Sequence, residues 1–139
     1  CERELADYIA ERGDYNIATL ALSVNMIGGG FSDGEFRDRA TYLIDRVSAA
    51  HPDQPVACIT LYPHFRDFGD DTEGAEHGAR FRQILRESVA GLSRSNVTLI
   101  EGPELLVDVG GLTTDLIHPG DLGMIQMGER LAARLKELL

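Results

Sequence analysis

Between Asp33 and His51 the apolar residues Phe36, Ala40, Leu43, Ile44 and Val47 recur at intervals of three and four. That spacing gathers side chains on one face of an α-helix and predicts a long helix with one buried stripe. Ser32 and Glu35 stand at its start as a capping box, in which each side chain takes up a backbone N–H the helix leaves free. His51-Pro52 ends it. A second stripe, Phe81, Ile84, Leu85, Ser88, Val89 and Leu92, predicts another helix. Shorter patterns predict an amphipathic helix over Glu2 to Arg12, with Leu5, Tyr8 and Ile9 in register and Gly13-Asp14 as its stop, and a closing helix from about Pro119 with Leu122, Ile125, Leu131, Leu135 and Leu138 on one side.

The segments between these helices are apolar at almost every position. Ile17 to Val24 and Val56 to Leu61 read as strands buried on both faces, and Val97 to Ile100 as a shorter third. Glu104 to Val109 is apolar but gives no clear period. Helix and strand alternate along the chain, so the fold expected is α/β, a parallel sheet with helices on both faces joined by right-handed crossovers. Ligands of such sheets bind beyond the carboxyl ends of the strands. Asn25, the polar stretch Tyr62 to Gly78, read as a long loop, and the segment around Asp115 and His118 all fall on that edge.

With 139 residues the chain makes one domain with a core of useful size. No apolar run approaches the roughly 20 residues of a membrane span. The net charge of −10 argues against nucleic acid and anionic membranes and favours a small or neutral ligand. Two cysteines, Cys1 and Cys58, make no disulfide framework, and Cys58 lies in an apolar run where a buried thiol is usual. The compartment stays open. Cys1 opens directly into a helical pattern with no apolar leader before it, and the chain reads as part of something longer.

Chemistry concentrates in Gly111-Leu112-Thr113-Thr114-Asp115-Leu116-Ile117-His118-Pro119-Gly120. A carboxylate three residues before an imidazole, in a turn leading into a helix, can accept a hydrogen bond from one ring nitrogen and leave the other outward as a base. The bland alternative is a capping Asp beside a solvated His. Gly28, Gly29 and Gly30 could form a mobile loop or a phosphate cradle, but no nucleotide-binding glycine pattern is present. His51, His64, His77 and His118 with Asp70 and Asp71 fall in no known metal-ligand spacing, and no metal site is expected. The serines are Ser23, Ser32, Ser48, Ser88, Ser93 and Ser95. Four read as helix caps or helix surface, Ser95 as part of a turn and Ser23 as a strand residue, and none has the strand-turn-helix setting of a nucleophile.

Asp115, His118, Pro119 and Gly123 resemble the last sequence block of the SGNH or GDSL-type esterases. Asn25, ninety residues earlier and after a strand, resembles their third block, with Ser23 and Met26 in place of the usual Gly and Asp. The resemblance covers essentially the whole chain. It implies a flavodoxin-like three-layer α/β/α fold and an ester hydrolase acting by acyl transfer. In it His118 is the base, Asp115 orients the imidazole and Asn25 donates to the oxyanion, with Tyr62 and His64 as lesser substrate contacts. It requires no cofactor. The first block, which carries the nucleophilic Ser, and the Gly of the second block are expected upstream of Cys1. The domain of residues 1–139 is then one lacking its first strands, inactive by itself, its strand at 17–24 exposed at an edge and open to pairing with a second copy or with the missing strands. The substrate expected is a small O-acyl or carbohydrate ester. A non-catalytic flavodoxin-like module that binds a ligand or partner at the same edge is the competing reading.

Overall fold

A computed structural model describes residues 2–22 and 24–139. Cys1 and Ser23, both weighed above, lie outside the described residues. The chain runs α1 (Arg3–Glu11), β1 (Ala18–Ala21), α2 (Val24–Gly28), α3 (Asp33–Ala50), β2 (Val56–Ile59), α4 (Phe65–Phe68), α5 (Thr72–Leu92), β3 (Val97–Ile100), α6 (Gly102–Leu105), a 3-10 turn (Val109–Gly111) and α7 (Asp121–Lys136). The three strands pair in parallel in the order β1-β2-β3, with Leu20 opposite Cys58 and Cys58 opposite Leu99.

Side chains alternate across a strand, so β2 divides its residues between two cores. Val56 and Cys58 join Phe36, Ala40, Leu43, Ile44, Val47, Phe81, Ile84 and Leu85 under α1, α3 and α5. Ala57 and Ile59 join Ile100 and Leu105 on the opposite face, against Met127, Leu131 and Leu135 of the last helix and Leu138 just beyond it. All four β2 residues are buried. This is the expected α/β/α layering, and the stripe of α3 is buried as its period predicts. The capping box is formed: Glu35 N–H donates to Ser32 Oγ (3.3 Å) and Ser32 N–H to Glu35 Oε2 (3.0 Å). Cys58 is fully buried, which pushes its thiol up to about 12 and leaves it inert.

Several expectations change. The strand expected over Ile17 to Val24 is four residues long, and only Leu20 of β1 is buried, with Thr19 and Ala21 exposed where β1 stands at the edge of the described sheet. Val24 instead opens α2. The triple glycine ends that helix: Gly30 takes φ +73°, its N–H donates to Ile27 O (3.1 Å), and Phe31 N–H donates to Met26 O (3.2 Å). That is a Schellman C-terminus and not a phosphate cradle. In α1 the face that packs is Ala6 and Ala10, with Leu5 and Tyr8 exposed, since small side chains let the helix approach α3 closely. In α7 Leu122 and Ile125 are likewise exposed.

The loop expected over Tyr62 to Gly78 is largely helical. Asp71 caps α5 by accepting from Gly74 N–H (2.9 Å), so that helix starts at Thr72 and carries His77 against the Phe81 ring. Ser48 and Ser88, read as helix caps or surface, are buried in α3 and α5. The Ser48 hydroxyl donates to Ile44 O (2.7 Å), and that of Ser88 accepts from Thr41 (3.0 Å). The apolar Glu104–Val109 stretch resolves into the end of α6 and a buried Leu105-Leu106 pair.

Candidate functional site

The cleft that collects the candidate residues opens beyond the carboxyl ends of β1 and β2 and holds about 210 Å³. Val24 and Asn25 reach it from the start of α2, Leu61 to His64 from the segment after β2, Ile117 to Pro119 from the loop before α7, and Met127 from α7. Asn25, Tyr62, His64 and His118, which lie as much as 93 positions apart in sequence, therefore wall one space. No serine lines it among the described residues.

The Asp115/His118 loop is fixed by its own hydrogen bonds. Oδ1 of Asp115 accepts from the Thr113 hydroxyl (2.7 Å) and from the N–H groups of Ile117 (2.8 Å) and His118 (3.0 Å). Oδ2 accepts from His118 Nδ1 at 2.7 Å. The turn is closed by Leu116 N–H on Thr113 O (2.9 Å) and Thr113 N–H on His118 O (2.8 Å), and Leu116 sits at φ +54°, a left-handed conformation for a residue with a side chain. Beyond it, Leu112 and Pro119 form an antiparallel bridge, and Gly120 N–H donates to Gly111 O (2.9 Å). Gly123 of α7 lies so close that a Cβ there would stand 2.0 Å from Gly111 O. Only glycine lets the helix clamp the loop.

The His118 bond, the two backbone donors and the Thr113 hydroxyl together hold the Asp115 carboxyl well below the usual carboxylate range. An ionised carboxylate only accepts, so His118 Nδ1 carries the proton and Nε2 is the free basic position. The His118 side chain is 72% exposed, and no described residue bonds its Nε2. An imidazole held and exposed in this way has the geometry that general-base chemistry requires. Asn25 is exposed at the same cleft and its side-chain amide has no hydrogen-bond partner among the described residues. Burial pushes the Tyr62 hydroxyl above its ordinary value and keeps it a neutral donor.

His64 is different in kind. It is 2% exposed, its Nδ1 lies 2.8 Å from Asp67 Oδ2, and its Nε2 is buried with no partner. Asp67 in turn receives two hydrogen bonds from Arg82, at 2.8 and 3.0 Å, and Arg82 also donates through Nε to Leu61 O (2.9 Å). Burial raises the Asp67 carboxyl, but the bonds from His64 and Arg82 outweigh it and hold the group well below its usual range. Asp67 and Arg82 were not singled out from the sequence. The signals were present: His64 and Asp67 share the three-residue spacing of Asp115 and His118, and Arg82 falls on the buried stripe of α5 beside Gly78, Phe81 and Leu85. His51 and His77 are also engaged, His51 Nε2 with Ala10 O at 3.0 Å and the His77 ring edge-on to Phe81. Among the described residues no group of three or more His, Cys, Asp or Glu side chains could hold a metal ion.

Residues 2–136 match the sequence profile of the GDSL-like Lipase/Acylhydrolase family. The chain belongs to that family. Solved structures share the fold of this family member: a candidate GDSL-like lipase from Bacteroides ovatus (TM-score 0.79, 23% identity, 99% of this chain and 40% of that one), and the salicylyl-acyltransferase SsfX3 of a tetracycline biosynthetic pathway (0.73, 18%, 97% and 42%). A carbohydrate esterase family 3 protein from Talaromyces cellulolyticus is a third (0.71, 16%, 98% and 66%). The GDSL-like chain thus spans about two fifths of the first two. No curated protein sequence matches it.

Proposed function

We propose that this chain carries the general-base and oxyanion-binding parts of a serine-type ester hydrolase that acts on a small O-acyl ester, with the nucleophilic Ser supplied by sequence upstream. The observation that carries the reading is the His118 Nδ1 to Asp115 Oδ2 bond of 2.7 Å with Nε2 left free at the cleft Asn25 also lines. In the acylation step Nε2 takes the serine proton as the oxygen attacks the ester carbonyl, and Asp115 supports the imidazolium. The Asn25 amide donates to the oxyanion, a role worth about 3 to 4 kcal/mol in the transition state. His118 then returns the proton to the leaving alkoxide, and water repeats the cycle on the acyl-enzyme.

Membership of the GDSL-like family supports acyl chemistry. The part of the cleft that this chain builds, about 210 Å³, accommodates a small acyl group. Carbohydrate esters fit this class. Upstream sequence that supplies the serine would also supply a strand for the open side of β1, where Thr19 and Ala21 are exposed.

The test is p-nitrophenyl acetate turnover by the protein from its natural source, together with fluorophosphonate labelling and mapping of the labelled peptide. Turnover abolished in His118→Ala, with the label on a serine outside residues 1–139, is the expected result. Absence of His118-dependent turnover and of labelling overturns the reading in favour of a binding module, and a label on one of the serines within the chain overturns the upstream placement of the nucleophile.

A further inference from the structure

The Arg82, Asp67 and His64 cluster has no place in the chemistry above, yet it is joined to the site by one backbone hydrogen bond. Phe65 N–H, the first of α4, donates to Leu116 O at 2.7 Å. Leu116 is the left-handed residue of the turn that sets Asp115 against His118. We propose that Arg82 and Asp67 are positioning residues for the Asp115/His118 pair, acting through α4 and the Phe65 N–H that holds the Leu116 carbonyl. The proposal rests on that pair being the working site.

Three observations support it. First, α4 is one turn of four residues, too short to hold its own geometry, and its ends need external anchors. Asp67 supplies them: its Oδ2 accepts from His64 N–H (3.0 Å) as well as from His64 Nδ1, closing the N-terminus of α4 on itself. Second, the anchor is rigid. Arg82 grips both Asp67 oxygens in a planar fork and ties the assembly to the carbonyls of Leu61 (2.9 Å) and Tyr62 (3.2 Å), the segment leaving β2. Third, the load is strained. A non-glycine residue at φ +54° persists only where its surroundings impose it, and the Leu116 carbonyl has that external donor. A charged network inside a protein is costly unless fully satisfied, and this one is spent on a single turn of helix. The element it fixes is the one that donates to the base loop.

The test reads the tautomer of His118 from the 15N shifts of its ring nitrogens in the full-length protein at a pH where the ring is neutral. Three variants are compared. Phe65→Pro removes the donor at a first helical position that accepts proline, with His64 already extended before it. Phe65→Ala removes the ring but keeps the donor. Asp67→Asn loosens the anchor with α4's own N–H groups intact. The Nδ1–H form dominates in the parent chain and in Phe65→Ala. Its ratio to the Nε2–H form falls about 2- to 10-fold in Phe65→Pro and in Asp67→Asn, the range of one hydrogen bond's net worth.

In the nucleophile-bearing enzyme the same two variants lower kcat about 10- to 100-fold with KM nearly unchanged. A ratio equal to the parent's in both, with only the melting temperature lowered, makes the cluster merely structural and overturns the proposal. If Phe65→Pro does not fold, Asp67→Asn decides. The tautomer needs no turnover, so a His118→Ala enzyme that keeps its activity sinks the functional reading without altering this result.

Discussion

Two histidines in this chain meet an aspartate three residues away through the same atoms, Nδ1 to Oδ2, at 2.7 Å for His118 and 2.8 Å for His64. In both, the carboxylate is held well below its usual range. The surroundings separate them. His118 is open to solvent on a loop, and Asp115 has only hydrogen-bond donors of its own turn to satisfy it. His64 is buried, and its Asp67 is also claimed by the Arg82 guanidinium. The first arrangement leaves a basic nitrogen free to take a proton from an approaching hydroxyl. The second leaves its remaining nitrogen where no solute reaches it. A His and an Asp in contact are thus a base or a fastening according to what else the carboxylate touches and whether water reaches the ring.

The comparison predicts opposite outcomes for the same substitution. His118→Ala lowers ester turnover by about 10⁴- to 10⁶-fold in the nucleophile-bearing enzyme. It changes the unfolding free energy by under about 1 kcal/mol, because an exposed ion pair contributes little. His64→Ala costs about 2 to 4 kcal/mol of stability by emptying a buried site and removing a donor from Asp67. Kinetics and urea denaturation on the two variants check both. Equal effects of the two on stability would break the distinction.

Arg82→Met comes next in size. It leaves the half-buried Asp67 carboxylate without its guanidinium partner, which costs about 1 to 3 kcal/mol. The double variant Arg82→Met/Asp67→Leu does not recover it, because His64 N–H and Nδ1 and the Leu61 and Tyr62 carbonyls then lack their partners as well. A single Arg82→Met as stable as the parent in urea would show that Asp67 is solvated after all.

Acid sharpens the comparison further. Both aspartates have folded-state pKa values below their unfolded ones, so each contributes stability that is fully present above the unfolded value of about 3.9 and is lost as pH falls toward the folded one. The loss is larger for Asp67, whose ion pair is largely shielded from solvent, than for Asp115, which water screens. Urea unfolding at pH 6 and pH 3 therefore shows a smaller fall in Asp67→Asn than in the parent, and a fall close to the parent's in Asp115→Asn. A larger fall in Asp67→Asn reverses the sign and rejects the assignment.

What was legible in the sequence follows the range over which each feature is determined. The α3 stripe, the Ser32/Glu35 box and the alternation of helix and strand are local, and they stand as read. Asp115 and His118 were legible for the same reason, since three residues and a turn suffice to join them. Asn25 was placed by likeness to a family and lies at the cleft, though in a helix and not directly on the strand end. Arg82 escaped because its partner is 15 residues away, and its position on a buried stripe is informative only once the helix is known to begin at Thr72. The stretch after Tyr62 misled because its charges suggested solvent, whereas Asp71 is a cap and Asp67 an anchor. β1 stands at the edge of the described sheet as expected, and the two-sided burial its apolar run suggests is lost there because burial depends on what lies beside the strand.

The smallest expected effect concerns the turn itself. Leu116 at φ +54° meets a steric cost that an L side chain incurs in the left-handed region, about 1 to 2 kcal/mol. Leu116→Gly removes that cost but adds freedom to the unfolded chain, a term of about 0.5 to 1 kcal/mol of opposite sign, so net stability changes by less than about 1 kcal/mol. Leu116→Ile keeps the apolar volume and adds a β-branch that this backbone resists, and it lowers stability further than any other substitution of similar size there. The buried pair contains no such residue among the described positions: the left-handed residues are Ser93, Leu116 and Gly30. Strain therefore accompanies the exposed pair alone. If Leu116→Gly retains the parent's Nδ1–H tautomer ratio at His118, the hydrogen bonds of the turn hold the imidazole without the strain. If the ratio falls, the conformation that leucine is forced to keep is part of what aims the base.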